Sequence, residues 1–183
     1  MTEKVICAGF GGQGIMVMGK FLANLGLATG RFVTYLPAYG AEVRGGAAHC
    51  AVIISDEEIY SPFVEQADTA IMMNGPSLAR FAARVRPKGM ILLNASLSAP
   101  PRRRGNPGVL PLPFSDIAAD LGNIKCANTV ALGAYLAIKN IAAAAAVDKV
   151  LDKMLSGLSR EIIEVNRKAI ERGKSETARR DTA

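Results

Sequence analysis

Tryptophan is absent, histidine occurs once, cysteine three times, and aromatic residues make up 5% of the chain. Interleaved basic and aromatic side chains of the kind that stack nucleobases are therefore missing. Cys7, Cys50 and Cys126 are odd in number, far apart and never spaced C-x-x-C. That excludes a disulfide framework and argues against a zinc or iron–sulfur site within this chain. The longest hydrophobic stretch, residues 129–147, is largely alanine and is broken by Lys139-Asn140, so no membrane span is expected. No secretory leader is visible, because Met1-Thr2-Glu3-Lys4 runs straight into an apolar segment. A reducing cytoplasm is the expected location.

What is present is 183 residues, half of them hydrophobic and 21% charged, enough for one folded domain. The net charge of +6 invites a nucleic-acid reading, but its placement does not support one. Arg102, Arg103 and Arg104 carry +3, and the tail from Lys174 onward adds +1, leaving +2 for everything else. The arginine run sits among prolines and glycines and reads as a solvated loop, or as a contact for an acidic partner or phosphates.

Apolar runs and turn residues predict strands over 4–8, 32–36 (ended by Pro37), 48–55, 69–73, 90–94 and 109–112. Asp56-Glu57-Glu58 looks like a hairpin turn into a short strand at Ile59-Tyr60. Helices are expected over 15–28 and 77–86, then from a Ser115-Asp116 cap to about Gly122. From 128 to 173 the chain reads as helical, with breaks near 146–148 and 156–157. Leu155, Leu158, Ile162, Val165 and Ala169 recur at threes and fours and mark the expected docking face of the last helix. Strands alternating with helices indicate an α/β domain with a mainly parallel sheet and an antiparallel element from residues 48–60. Ligands of such sheets gather where strand ends release their loops, here 9–14, 39–46, 74–76 and 94–96.

Gly9-Phe10-Gly11-Gly12-Gln13-Gly14 satisfies G-x-G-x-x-G between a strand and a helix. Absent side chains let backbone N–H groups approach an anion at a helix N-terminus. A dinucleotide site also needs an acid near the end of the second strand, where Thr34, Tyr35, Leu36 and Pro37 stand. A phosphate or acyl-carrier contact and a ligand-free tight turn both remain open. The overlapping G-x-x-x-x-G-K at Gly14–Lys20 is not a P-loop: Phe21 occupies the magnesium-holding Ser/Thr position. Glu42 and Arg44 share one side of an extended segment, and Gly45-Gly46 would let a ligand or backbone come close. They form either an internal ion pair or a site where Arg44 meets a carboxylate, a phosphate or another subunit. His49 and Cys50 are strand neighbours pointing to opposite faces, which does not make a catalytic pair. No nucleophile–base pair, paired carboxylates or metal-ligand spacing emerges, so the chain reads as part of a larger machine.

Taken together, Gly9–Gly14, then Pro37-Ala38-Tyr39-Gly40-Ala41-Glu42-Val43-Arg44-Gly45-Gly46, then Ser61-Pro62 and Met73-Asn74 resemble the gamma subunit of 2-oxoacid:ferredoxin oxidoreductases. Asn94-Ala95-Ser96, Leu121-Gly122-Asn123, residues 127–133, Asn166 and Gly173 are similar too. Ala41, Val43 and Ala47 depart mildly from the pattern, and the second loop leans towards the 2-oxoglutarate and pyruvate branches. The resemblance implies a three-layer α/β fold, a mainly parallel (mixed) sheet with helices on both faces and a helical C-terminal extension. Residues 1–173 would form the single gamma-type domain, with 174–183 a flexible tail. It implies a subunit, itself without catalytic residues, of an enzyme that oxidatively decarboxylates a 2-oxo acid to acyl-CoA with electrons to ferredoxin. Thiamine diphosphate, Mg and iron–sulfur clusters would belong to alpha, beta and ferredoxin-like delta partners, and CoA would be a substrate. Gly11, Gly12, Gln13 and Gly14 would form one cofactor-facing loop, and Tyr39, Glu42, Arg44, Gly45 and Gly46 the second. A homodimer of the isolated chain is compatible with this. The rival is a stand-alone nucleotide- or CoA-binding regulatory module.

Overall fold

A computed structural model describes residues 1–39, 46–101 and 107–181. The strands are β1 (Thr2–Phe10), β2 (Phe32–Tyr39), β3 (Ala47–Ser55), β4 (Ala67–Met72), β5 (Val85–Asn94) and β6 (Gly108–Leu112). The helices are α1 (Ile15–Ala28), α2 (Gly75–Phe81), α3 (Phe114–Asp120), α4 (Ala127–Lys139), α5 (Ala144–Met154) and α6 (Arg160–Asp181). One six-stranded sheet runs β2-β3-β1-β4-β5-β6. Strands β1, β4, β5 and β6 are parallel neighbours, whereas β3 lies antiparallel between β1 and β2. Alternation on the strands sends successive residues to two cores. Val5, Cys7, Cys50, Val52, Ile54 and Ile71 face the larger core under α1, α3, α4 and α5. Ile6, Ala8, Ala51, Ile53, Ala70 and Met72 face the smaller one, which Phe81 of α2 and Val64 complete.

The α/β class, the mixed sheet and the C-terminal helix are as expected, and several local readings are corrected. Pro37 does not end β2, which continues to Tyr39 with Pro37 opposite Cys50. The strand lies at the sheet edge, where a missing N–H costs no ladder bond. No strand forms at Ile59-Tyr60; Ile59 packs instead against the smaller core, and the antiparallel partners of β3 are β1 and β2. Helix α2 stops at Phe81 and passes through a 3₁₀ turn, Ala82–Arg84, straight into β5. A register shift between Ala67 and Thr69 takes the Arg86–Gly89 stretch off the β4 ladder, which is how β5 tolerates Pro87. Ser115 is not a cap: α3 starts at Phe114, and the Ser115 side chain turns inward to Asn94.

The first break in the C-terminal helices comes at Asn140, left-handed at φ 44°, rather than near 146–148. The second, at Gly157, is where expected. The docking face of α6 is also displaced in part. Ala169 is buried and Leu155 and Val165 pack against the larger core as expected, but Leu158 and Ile162 are exposed, and Asn166, Ile170 and Thr177 are buried instead. Residues 174–181, expected as tail, continue α6, with Thr177 only 2% exposed. Glycines set the α4–α6 distance: a Cβ on Gly133 would strike the Ile170 carbonyl, and one on Gly173 the Val130 carbonyl.

Candidate functional site

The parallel strands β1, β4, β5 and β6 all end on one edge of the sheet, with Ala8, Met72, Leu93 and Pro111 on one row. Their loops meet there. The glycine turn is held from within, Phe10 N–H donating to Gln13 Oε1 at 2.7 Å and Gln13 N–H to the Phe10 carbonyl at 3.1 Å. Gln13 then reaches β4: Asn74 Nδ2 donates to Gln13 Oε1 at 2.9 Å, and Gln13 Nε2 to the Met73 carbonyl at 3.4 Å. Asn74 Oδ1 meanwhile accepts from Ser77 N–H and caps α2. From β5, Asn94 Nδ2 reaches the same Met73 carbonyl and Ser115 Oγ. Four side chains, from the glycine turn, the N-cap of α2, the end of β5 and the first turn of α3, thus form one polar network, and amides held this way fix loop positions.

Of the expected site residues, Gly11 and Gly46 are brought together directly, with Gly11 N–H donating to the Gly46 carbonyl at 2.9 Å. The glycine loop and the end of the second loop are therefore neighbours. Gly12 is exposed at φ 97° and Gln13 half-buried, and both line a cavity of about 240 Å³. Gly14 is not among the lining residues: it precedes α1 in the left-handed region and lies close against the Asn128 side chain. Tyr39 closes β2, and Glu42, Arg44 and Gly45 lie outside the described residues, as do Arg102–Arg104.

The other residues lining the cavity do not stand out in the sequence as site residues. These are Met73, Leu97, Ser115, Ile124, Lys125 and Ala127, of which Leu97 is 54% and Ile124 56% exposed. Nothing in local periodicity marks these residues, because separate segments of the chain deliver them: the end of β4, the loop after β5, α3 and the 3₁₀ turn Ile124–Cys126. Asn74 and Asn94 lay within loops singled out as ligand-facing, but their convergence on Gln13 and Met73 is a tertiary fact. Lys125 is the one cation among the described residues that line the cavity. An apolar rim, one ammonium and a glycine turn can accept an elongated ligand bearing phosphates.

The sheet order bears on the nucleotide reading. In a dinucleotide fold the strand beside β1 carries the ribose-binding acid at its C-terminal end. Here β3 is inserted antiparallel between β1 and β2, and it presents Ala47 and Ala48 at that edge. His49 lies on β3 against Phe81, ring centroids 4.7 Å apart. Burial, then the nearby Arg80 and Arg84 charges, push its pKa below the usual histidine value. Cys7 is buried opposite Cys50, whose thiol hydrogen bond, followed by burial, holds the Cys7 pKa well above normal. Neither residue joins a catalytic set. No group of three metal-ligating side chains occurs among the described residues, and no helix there is long and apolar enough to cross a membrane.

A family model for pyruvate ferredoxin/flavodoxin oxidoreductases matches residues 4–176. The chain belongs to the pyruvate ferredoxin/flavodoxin oxidoreductase family. Among curated relatives, the ketoisovalerate oxidoreductase subunit VorA of Methanothermobacter marburgensis is 39% identical over 135 residues, covering 74% of this chain and 28% of VorA. The 2-oxoglutarate synthase subunit KorC of Methanocaldococcus jannaschii is 29% identical, covering 86% of both chains. The gamma subunit of a keto/oxoacid ferredoxin oxidoreductase from Geobacter sulfurreducens superposes with TM-score 0.79 at 28% identity, over 97% of this chain and 99% of that one. The 2-oxoglutarate:ferredoxin oxidoreductase of Magnetococcus marinus, solved with 2-oxoglutarate, coenzyme A and succinyl-CoA bound, gives TM-score 0.88 at 25% identity. The chain spans 31% of that polypeptide. The family fold thus occurs both as a separate subunit and as a stretch of a longer chain. In this family member the loop edge of the sheet carries the Gln13–Asn74–Asn94–Ser115 network.

Proposed function

We propose that this chain is the gamma component of a 2-oxoacid:ferredoxin oxidoreductase, packing beside the active site held by its companion chains and helping to enclose it. The observation that carries this reading is the joining of Gly11 to Gly46, which sets the glycine loop beside the second loop at the edge where the strands end. The family match and the gamma-subunit superposition support it. CoA is the ligand proposed for this edge, from the second loop to Lys125. The exposed turn at Gly12 would approach a diphosphate by its backbone, Lys125 would meet a phosphate, and Leu97 and Ile124 would shield the pantetheine arm from water. Tyr39, Glu42, Arg44, Gly45 and Gly46 complete the proposed site on the second loop.

Thiamine diphosphate with Mg, in the companion alpha and beta chains, would supply the decarboxylation chemistry. Iron–sulfur clusters there and in a ferredoxin-like delta chain would take the electrons. This chain contributes binding, orientation and water exclusion, and none of its residues is assigned a catalytic step. The reaction would take place in the cytoplasm.

The test is reconstitution. The complex purified through a tag on this chain should contain thiamine-binding and iron–sulfur chains and oxidise a 2-oxo acid in the presence of CoA. Omitting this chain should abolish that activity. In the complete complex, Gly12→Val should raise the KM for CoA at least tenfold with a smaller effect on the KM for the 2-oxo acid. Full activity without this chain would overturn the reading, and tight NAD or ATP binding by the isolated chain would replace it with a stand-alone nucleotide module.

A further inference from the structure

The segment between β3 and β4 places large aromatic side chains in water without loosening the chain that carries them. Tyr60 is 91% and Phe63 70% exposed. The residues around them are anchored. Ile59 packs on the smaller core, Val64 is 2% exposed within it, and Arg84 donates to the Val64 carbonyl. Glu57 N–H is held by Ser55 Oγ at 3.1 Å and Phe63 N–H by Ser61 Oγ at 3.4 Å. Phe32, half exposed on β2, lies in the cross-strand row with Ser55 and Thr2, and Thr2 and Ser55 line the groove with Tyr60 and Phe63. Two aromatics on a pinned loop are prearranged, so little conformational freedom is lost when something covers them.

The segment that carries them is acidic in a basic chain, and Lys4 of β1 is the cation lining the groove beside it. Residues 56–66 contain Asp56, Glu57, Glu58 and Glu65 and no lysine or arginine, in a chain of net charge +6. Asp56 is occupied by Arg31 and the terminal ammonium, whereas Glu57, Glu58 and Glu65 are exposed and make no ion pair among the described residues. We propose that Tyr60 and Phe63, rimmed by Glu57, Glu58 and Glu65, are the docking surface for a companion protein subunit whose face offers an apolar seat edged by lysine or arginine. A second copy of this chain fits less well, because a two-fold contact through this patch would bring together the three unpaired glutamates of each copy against one lysine, Lys4, from each. The segment lies beyond the opposite end of β1 from the glycine turn, since Ser55 pairs with Thr2 and Ala47 with Phe10. The contact is therefore distinct from the CoA edge. It rests on the reading of this chain as a subunit.

The experiment uses the complex purified through a tag on this chain, dissociated and re-associated with wild-type or variant chain at several salt concentrations. Tyr60→Ala with Phe63→Ala should weaken re-association at least tenfold while leaving circular dichroism and the melting temperature of the chain unchanged. Both side chains are exposed, so the fold tolerates their loss. Glu57→Lys with Glu58→Lys should weaken it further and invert its salt dependence. Re-association within twofold of wild type in both variants overturns the surface and leaves the subunit reading standing. Failure of the wild-type chain to recover any companion overturns both. A concentration-dependent dimer of the isolated chain that Tyr60→Ala with Phe63→Ala abolishes would assign the surface to a second copy and overturn the proposal.

Discussion

Gln13 illustrates how much one amide can hold. It accepts from a backbone N–H of its own turn and from Asn74, and it donates to the end of β4, so the glycine loop is tied to the neighbouring strand through a single residue. Gln13→Ala leaves the Phe10 N–H and the Asn74 amide without their acceptor in a partly buried setting. Its expected cost is about 1–3 kcal/mol. Asn24→Ala removes a comparable bond, Asn24 Nδ2 to the Lys20 carbonyl, on an exposed helix face, and should cost no more than about 0.5 kcal/mol. Urea unfolding of the two variants side by side checks this. Equal midpoints would mean that the Gln13 bonds add nothing beyond what water provides.

Elements were legible wherever a local signal decides them. Helix α1 is bounded by Gly14 and a turn at Gly30, Asn74 caps α2 with Pro76 in its first turn, and Gly157 separates α5 from α6. Misreadings arose where tertiary context overrides the local residue. Pro37 and Pro87 sit in strands because one strand is an edge and the other leaves its ladder, which no sequence window reveals. Ile59 follows the core rather than its β-propensity. The face of α6 follows apolar periodicity only in part: Val165 and Ala169 lie on it and Leu158 and Ile162 do not, because the small and polar Asn166, Gly173 and Thr177 complete the contact. Asn166 accepts from Thr129 Oγ1 at 2.7 Å, and the glycines admit the opposite backbone. For the site, the glycine loop was legible from spacing, while Leu97, Ile124 and Lys125 were not, since only folding brings them to it. The glycine contact yields a signed prediction. Alanine at Gly133 or Gly173 gains up to about 1 kcal/mol in helix propensity. Its methyl group would meet a backbone carbonyl that cannot rotate away, an overpacking cost of about 1–3 kcal/mol or more. Both substitutions should therefore destabilise, and their combination should cost less than the sum because they widen the same crossing. Thermal melting of the three variants measures this, and a raised midpoint would show that the helices separate freely.

At the scale of the molecule, the two cores are not independent units, because the same strands build both. Val5 and Cys7 of β1 enter one core while Ile6 and Ala8 enter the other, and β3 divides Cys50, Val52 and Ile54 from Ala51 and Ile53 in the same way. Opening either core means lifting β1 or β3, which lie side by side within the sheet with a neighbour on each edge, so neither core can be lost alone. The cysteines report on this. All three thiols are free and buried, with Cys7 and Cys50 facing each other across the β1–β3 pair. The hydrogen bond with Cys50, followed by burial, disfavours the Cys7 thiolate, and the thiolate is the form that reacts. A thiol reagent should leave Cys7 and Cys50 unmodified in the native chain. Their labelling should begin over the same range of urea in which the helical far-ultraviolet signal is lost. Modification of either thiol at a concentration that leaves that signal intact would show that β1 and β3 part before the helices melt, and that the sheet is not one cooperative unit.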